Sequence, residues 1–200
     1  MILSAPAILV SSRAHGETAC IARFLTSEYG LVAGYVAGGR GRQLRPVMIP
    51  GNRVALELRA RSASQLPFAK CELEESCGPW LSEPLPAAAI TWACAITASA
   101  LPEREPFPAL YDTLYALLTA ICHAPSARGW LAAMVAYESM LLLEMGYGGA
   151  KPHMEGDLET QFEAFRQLHK PIRDYLLAER SRDVMAARTA LGERLARMIK

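Results

Sequence analysis

The sequence predicts an α+β protein, with a small closed β-barrel over residues 1–78 followed by an all-helical domain over residues 79–200. Three observations lead there. Apolar residues alternate with period two in the first third, they recur with a helical period from Ala87 onward, and composition changes abruptly at Gly78-Pro79-Trp80. The Pro84–Pro86 stretch reads as the linker.

The alternation is clearest over Arg53–Arg61, where Val54, Leu56, Leu58 and Ala60 face a core and Arg53, Ala55, Glu57, Arg59 and Arg61 face the other way. Ala7–Ser12, Cys20–Thr26 and Leu31–Val36 read as further strands, with Cys20, Ala22 and Phe24 on one side of theirs. His15-Gly16, Glu28-Tyr29-Gly30, Gly38–Gly41 and Pro50-Gly51-Asn52 supply turn chemistry between them. Four or five short strands joined by tight turns and one longer basic loop suit a closed barrel of the OB type better than an open sheet.

Downstream, Leu110, Leu114, Leu117, Leu118 and Ile121 form one helical stripe. Trp130, Leu131, Met134, Val135, Leu141, Leu142 and Met145 form a second, interrupted by Glu138. Pro125-Ser126 separates the two helices, and the glycines at 146, 148 and 149 end the second. A further helix is expected over Leu158–Leu177, kinked or divided by Pro171, and a last one from about Arg182 to Met198. The Ala-rich stretch Leu85–Leu101 reads as a buried core helix, because a bilayer span needs about 20 strongly apolar residues. The N-terminus shows no secretory signal pattern, so the expected location is the cytoplasm.

Net charge is only +1, which by itself argues against a nucleic-acid partner. The average conceals an asymmetry. Residues 1–70 carry nine basic and three acidic side chains, a balance of +6, whereas the remainder carries twelve and seventeen, a balance of −5. The two parts should therefore face different partners. The five cysteines are odd in number, scattered and without a CxxC pair, so they read as buried free thiols rather than as a zinc site or a disulfide framework.

The sharpest local feature is Gly38-Gly39-Arg40-Gly41-Arg42-Gln43-Leu44-Arg45, a glycine-rich loop presenting three arginines after a strand. Glycine lets backbone N–H groups approach phosphate, and guanidinium binds phosphate oxygens in bidentate fashion. The loop lacks the GxxxxGK[ST] spacing of a nucleoside-triphosphate site, and a mobile hairpin kept soluble by charge is the plain alternative. Arg53, Arg59 and Arg61 share a strand face, and with Arg13 and the loop they would form a basic groove for nucleic-acid backbone. Base stacking would need exposed aromatics, and only Phe24, Tyr29, Tyr35 and Phe68 are on offer, some of them required by the core; little sequence preference is expected.

Signs of catalysis are poor. His15, His123, His153 and His169 show no metal-ligand spacing, and no GxSxG, HExxH or Cys/His arrangement occurs. Glu138 on its apolar helix face reads as a carboxylate hydrogen-bonded to a neighbouring chain terminus rather than as an acid/base group. The Met134–Met145 region reads as core, with an exposed peptide groove as the alternative.

Several segments, in order, resemble the bacterial recombination mediator family RecO. They are Ala7-Ile8-Leu9-Val10, Gly16-Glu17-Thr18, Phe24 through Leu31, the Gly38–Arg45 loop, Pro50-Gly51, Leu101-Pro102-Glu103 through Leu110-Tyr111, and Tyr137 through Gly148. The resemblance implies an OB-fold joined to a helical domain and a non-catalytic role in DNA repair. It further implies binding of single- and double-stranded DNA, annealing of complementary strands, contact with the C-terminal tail of the single-stranded DNA-binding protein, and work with RecR to help load RecA. Residue by residue, it places Arg40, Arg42 and Arg45 at DNA, whereas Arg13, Arg53, Arg59 and Arg61 rest on the charge argument. Many relatives carry a four-cysteine zinc module after the Gly-Tyr-Gly element. Here no cysteine follows Cys122 and the connection from Gly149 to Asp157 is short, so neither zinc nor any other cofactor is expected.

Together these readings predict a non-enzymatic recombination mediator, nucleoid-associated through its DNA. Two rivals use the same residues: an OB-fold module for structured RNA, and an enzyme with Glu138 or His123 as acid/base in a site between barrel and bundle.

Overall fold

The computed structural model describes residues 2–60, 62, 65–124, 126–148, 156–178 and 181–199; Arg61, Pro125, Gly149 and His153, all named above, lie outside them. The chain divides into two compact units, one of 1–79 with 101–111, the other of 80–100 with 112–200.

The first unit is a closed five-stranded barrel in the order β1-β2-β3-β5-β4, built from β1 (Ile2–His15), β2 (Ala19–Thr26), β3 (Gly30–Val36), β4 (Arg53–Arg59) and β5 (Phe68–Glu75). This is the five-stranded barrel of the OB-fold. Closure depends on β1. Its first half pairs with β4, from Ile2 opposite Arg59 to Ile8 opposite Arg53, and its second half pairs with β2, ending at His15 opposite Ala19. The register breaks between Leu9 and Ser11, and there Leu9 exchanges backbone hydrogen bonds with Asn52 and Gly51, at 2.9 and 2.8 Å. A bulge bends and twists a strand, which lets one strand serve both edges of the barrel.

Period two then sorts the side chains as expected. Leu9, Cys20, Ala22, Phe24, Val32, Val36, Val54, Leu56, Leu58 and Cys71 fill the interior. Segment 101–111 belongs to this unit because its backbone docks on β3: the Arg104 N–H donates to the Leu31 carbonyl at 2.9 Å, and Arg23 pairs with Glu103 at 3.2 Å. Gly30 makes the approach possible, since a Cβ there would lie 2.0 Å from the Glu105 carbonyl oxygen.

The second unit contains α1 (Pro84–Ala100), most of α2 (Pro108–His123), α3 (Leu131–Glu144), α4 (Leu158–Gln167), a single turn α5 (His169–Pro171) and α6 (Ser181–Ile199). α1 is buried over Ala89, Ile90, Trp92, Ala93, Cys94, Ile96, Thr97 and Ala98, the all-round burial of a core helix. The stripe from Leu110 to Ile121 is buried throughout, and Met134, Val135, Leu141 and Leu142 are buried on α3, so Met134 belongs to the core. Met145 at the helix end is only half-buried. α3 stops as its glycine predicts: Gly146 has φ +83°, its N–H donates to the Leu143 carbonyl, and the Tyr147 N–H donates to that of Leu142. Asp157 caps α4 by accepting from the Thr160 N–H at 2.9 Å. Pro171 divides the helical stretch, which continues as a π-turn over Ile172–Leu176.

Candidate nucleic-acid interface

The basic loop is a built structure. Between β3 and β4 the Gly41 N–H donates to Gly38, the Arg45 N–H to Gly41 and the Met48 N–H to Leu44, at 2.8 to 2.9 Å. Leu44 and Val47 pack, partly buried, on the barrel core, and Met48 is part of it. Asn52, fully buried, holds the far side: its Nδ2 donates to the carbonyls of Pro46 and Val47, and its Oδ1 accepts from the Cys77 N–H at 2.9 Å. The near side is held by Arg40, whose Nη1 donates to the carbonyls of Gly16 and Glu17 in the β1–β2 turn and whose N–H donates to Thr18. Anchored at both ends, the loop is no free hairpin. Its arginines at 40, 42 and 45 are all exposed.

The proposed basic residues fall into distinct environments. Arg13, Arg42 and Arg45 are exposed and, among the described residues, meet no carboxylate. Arg53 pairs with Glu74 and Glu75, each at 3.0 Å, and Arg59 pairs with Glu57. Lys70 pairs with Glu72, which raises the lysine pKa and lowers that of the carboxyl. The outer face of β4 and β5 is therefore a mixed lattice of charge. The sequence showed Arg53, Glu57 and Arg59 on one face of β4, as they are, but the glutamates of β5 that meet Arg53 become visible only once the strands are paired.

Sequence reasoning also understated the aromatic surface. Phe24 is core, but Phe68 is 63% exposed. Strand pairing places Arg13 opposite Ile21, Ile21 opposite Tyr35, Tyr35 opposite Phe68 and Phe68 opposite Arg59. Directly opposed residues share a face, and this is the outer one because Cys20, Ala22 and Val36 point inward. The rings of His15 and Tyr35 meet edge-to-face at 5.8 Å, and those of Tyr35 and Phe68 at 5.4 Å.

Glu138 is a structural group. It is fully buried, its oxygens accept from Arg188 Nε and Nη2 at 3.0 and 2.8 Å, and Trp92 Nε1 donates to it at 2.6 Å. Its partner is thus an arginine of α6 and an indole of α1, where a chain terminus was expected. Arg188 is itself enclosed, donating to the Phe165 carbonyl and lying 3.9 Å from that ring's centroid. His123 is exposed, its Nδ1 2.8 Å from the Thr119 carbonyl and its ring beside Trp80. Among the described residues no group of His, Cys, Asp or Glu is placed to hold a metal ion, and no helix is long and apolar enough to cross a membrane.

Comparison with known proteins gives the family. The model for the Recombination protein O N terminal matches residues 1–76, and that for the Recombination protein O C terminal matches residues 82–150. The DNA repair protein RecO of Rhodospirillum centenum is 46% identical over 143 residues, which cover 71% of this chain and 56% of that protein. The DNA repair protein RecO of Phenylobacterium zucineum is 38% identical over 183 residues, 86% of this chain and 74% of that one. That of Gluconacetobacter diazotrophicus is 36% identical over 147 residues, 72% and 58%. The chain thus spans between a little over half and three quarters of the length of these relatives.

Proposed function

The chain belongs to the RecO family, and from that premise we propose that it acts in DNA repair as a non-enzymatic mediator, binding single- and double-stranded DNA through its barrel. The observation that carries the reading is the Gly38–Arg45 loop. Its backbone is held by Asn52 at one side and by the β1–β2 turn at the other, so Arg40, Arg42 and Arg45 are offered to phosphate from a fixed frame. Guanidinium groups held this way bind backbone at lower ordering cost than groups on a free hairpin. Arg13 extends the cationic surface, whereas Arg53 and Arg59 are partly neutralised by their glutamates and would contribute less.

Holding two strands at high local concentration supplies annealing without a bond being made or broken. Contacts with RecR and with the tail of the single-stranded DNA-binding protein, and through them assistance to RecA, form the remainder of the proposal, together with association with the nucleoid. By unit the charge balance is only +2 for the barrel with 101–111 and −1 for the helical unit, so the placement of nucleic acid on the barrel is proposed from the exposed loop arginines, and these protein partners are proposed for the helical unit.

The test is fluorescence anisotropy of a labelled single-stranded oligonucleotide, titrated at several salt concentrations with the wild type and with an Arg40/Arg42/Arg45→Ala variant. Each lost phosphate contact flattens the log–log salt slope by roughly 0.7 to 0.9, so the triple variant should bind more weakly with a slope smaller by about 2. Unchanged binding would remove the loop from the site. Stronger competition by structured RNA than by single-stranded DNA would favour the RNA-binding alternative.

A further inference from the structure

We infer that the outer face carrying His15, Tyr35 and Phe68 is a stacking platform for unpaired bases of single-stranded DNA, distinct in chemistry from the phosphate-binding loop beside it. The inference rests on the DNA-binding reading and adds to it a site that discriminates single strands from duplex.

Three observations carry it. First, Phe68 is 63% exposed on a strand whose inward neighbours Ala69 and Cys71 meet the barrel core, so its ring is surplus to the packing of the barrel. Such exposure forgoes the burial of a phenyl ring that folding would otherwise use, and an aromatic surface left open is a signature of a binding face. Second, the rings form a connected row. His15 touches Tyr35 and Tyr35 touches Phe68, both edge-to-face, so each contact covers one face of one ring, and the exposed Phe68 keeps ring surface open to a planar partner. Third, the row joins the cationic loop through continuous contacts. Tyr35 lies in β3, which feeds directly into the loop, and Arg40 is bonded to Gly16 and Glu17, the residues that follow His15.

Charge selects the occupant and its direction. On the loop side stand Arg13, Arg40, Arg42 and Arg45, and beyond Phe68 lies a depression of about 290 Å³ lined by Glu57, Arg59, Phe68, Ala69 and Lys70. Its cations are already matched by carboxylates, so phosphate is drawn toward the loop in preference to the β4–β5 side. A ligand with alternating anionic and flat aromatic groups fits this division, and a single nucleic-acid strand has that chemistry. In a duplex the base faces are already stacked, so the platform has nothing to engage there.

Phe68→Ala tests the platform without touching a buried residue. Its affinity for a single-stranded oligonucleotide should fall on the order of 5- to 100-fold, the range of one lost base stack, with the salt slope unchanged. Duplex affinity should stay as in the wild type, and on an oligonucleotide of abasic sites the two proteins should bind alike. Phe68→Trp should keep single-strand affinity and show quenched emission on binding; Trp80, Trp92 and Trp130 all lie in the other unit. Unchanged single-strand affinity in Phe68→Ala, an equal loss on duplex, or a loss that persists on abasic DNA would each overturn the platform. So would a wild-type dimer that dissociates in Phe68→Ala, which would give the face to a second copy. If the loop variant weakens binding while Phe68→Ala does not, the DNA-binding reading stands and the platform falls; if the wild type binds no DNA at low salt, both fall.

Discussion

Glu138 and Arg188 show at the scale of single residues how much a lone charge in an apolar stripe can mean. Both are enclosed, and the carboxylate is met by Arg188 twice and by Trp92 once. Removing one partner of such a pair leaves the other charge buried without compensation. Glu138→Ala should therefore destabilise the protein by about 3 to 5 kcal/mol in urea unfolding, whereas a Glu138→Leu/Arg188→Met pair should recover much of that loss. A loss below about 1 kcal/mol in the single variant would show that water reaches the site. The sequence marked Glu138 as anomalous but could not supply its partner, which is fifty positions away in α6. A helical stripe reports which face of a helix is buried and carries no information on which distant helix covers it.

At the scale of elements, the loop between β3 and β4 was legible in its chemistry and illegible in its rigidity. Glycines and arginines at 38–45 announced a phosphate-binding composition, yet the same residues fitted a mobile hairpin. The decision came from Leu44, Val47 and Met48, which pack on the barrel core, and from Asn52, whose amide spans the loop and the start of the connection after β5. Asn52→Ala should remove the hydrogen bonds of its amide to the Pro46 and Val47 carbonyls and from the buried Cys77 N–H, at a cost of about 1 to 3 kcal/mol. It should also weaken single-strand binding without removing any cation, which oligonucleotide titration beside urea unfolding would show; full binding in a destabilised variant would mean that the loop needs no frame. β5 was the least legible strand. Its inward residues Ala69 and Cys71 are small, and its one aromatic, Phe68, points out, so the usual equation of large apolar side chains with the core fails there.

For the whole molecule, each unit has a core of its own, and all five cysteines are buried free thiols distributed between them. Burial pushes the Cys71 and Cys94 thiols up to about 12, so at neutral pH almost no thiolate forms. Alkylating reagents should leave the native protein unlabelled. With rising urea, Cys20, Cys71 and Cys77 should become reactive at one midpoint, and Cys94 and Cys122 together at theirs, as mass spectrometry of labelled peptides would resolve. Labelling of Cys71 well before Cys20 would show the barrel opening strand by strand instead.

The sequence by itself determined the class of both halves, most strand and helix positions, the end of α3 at its glycine, and the family resemblance, because periodicity, turn chemistry and capping are local properties of consecutive residues. Only the tertiary structure decided which charges are available and which rings are exposed. Arg53 gained its carboxylate partners from β5, Arg42 and Arg45 met none among the described residues, and His15, Tyr35 and Phe68 came into one row. The physical reason is that partnership across a closed barrel is set by register between strands far apart in the chain, and a one-residue shift in that register would exchange every neighbour.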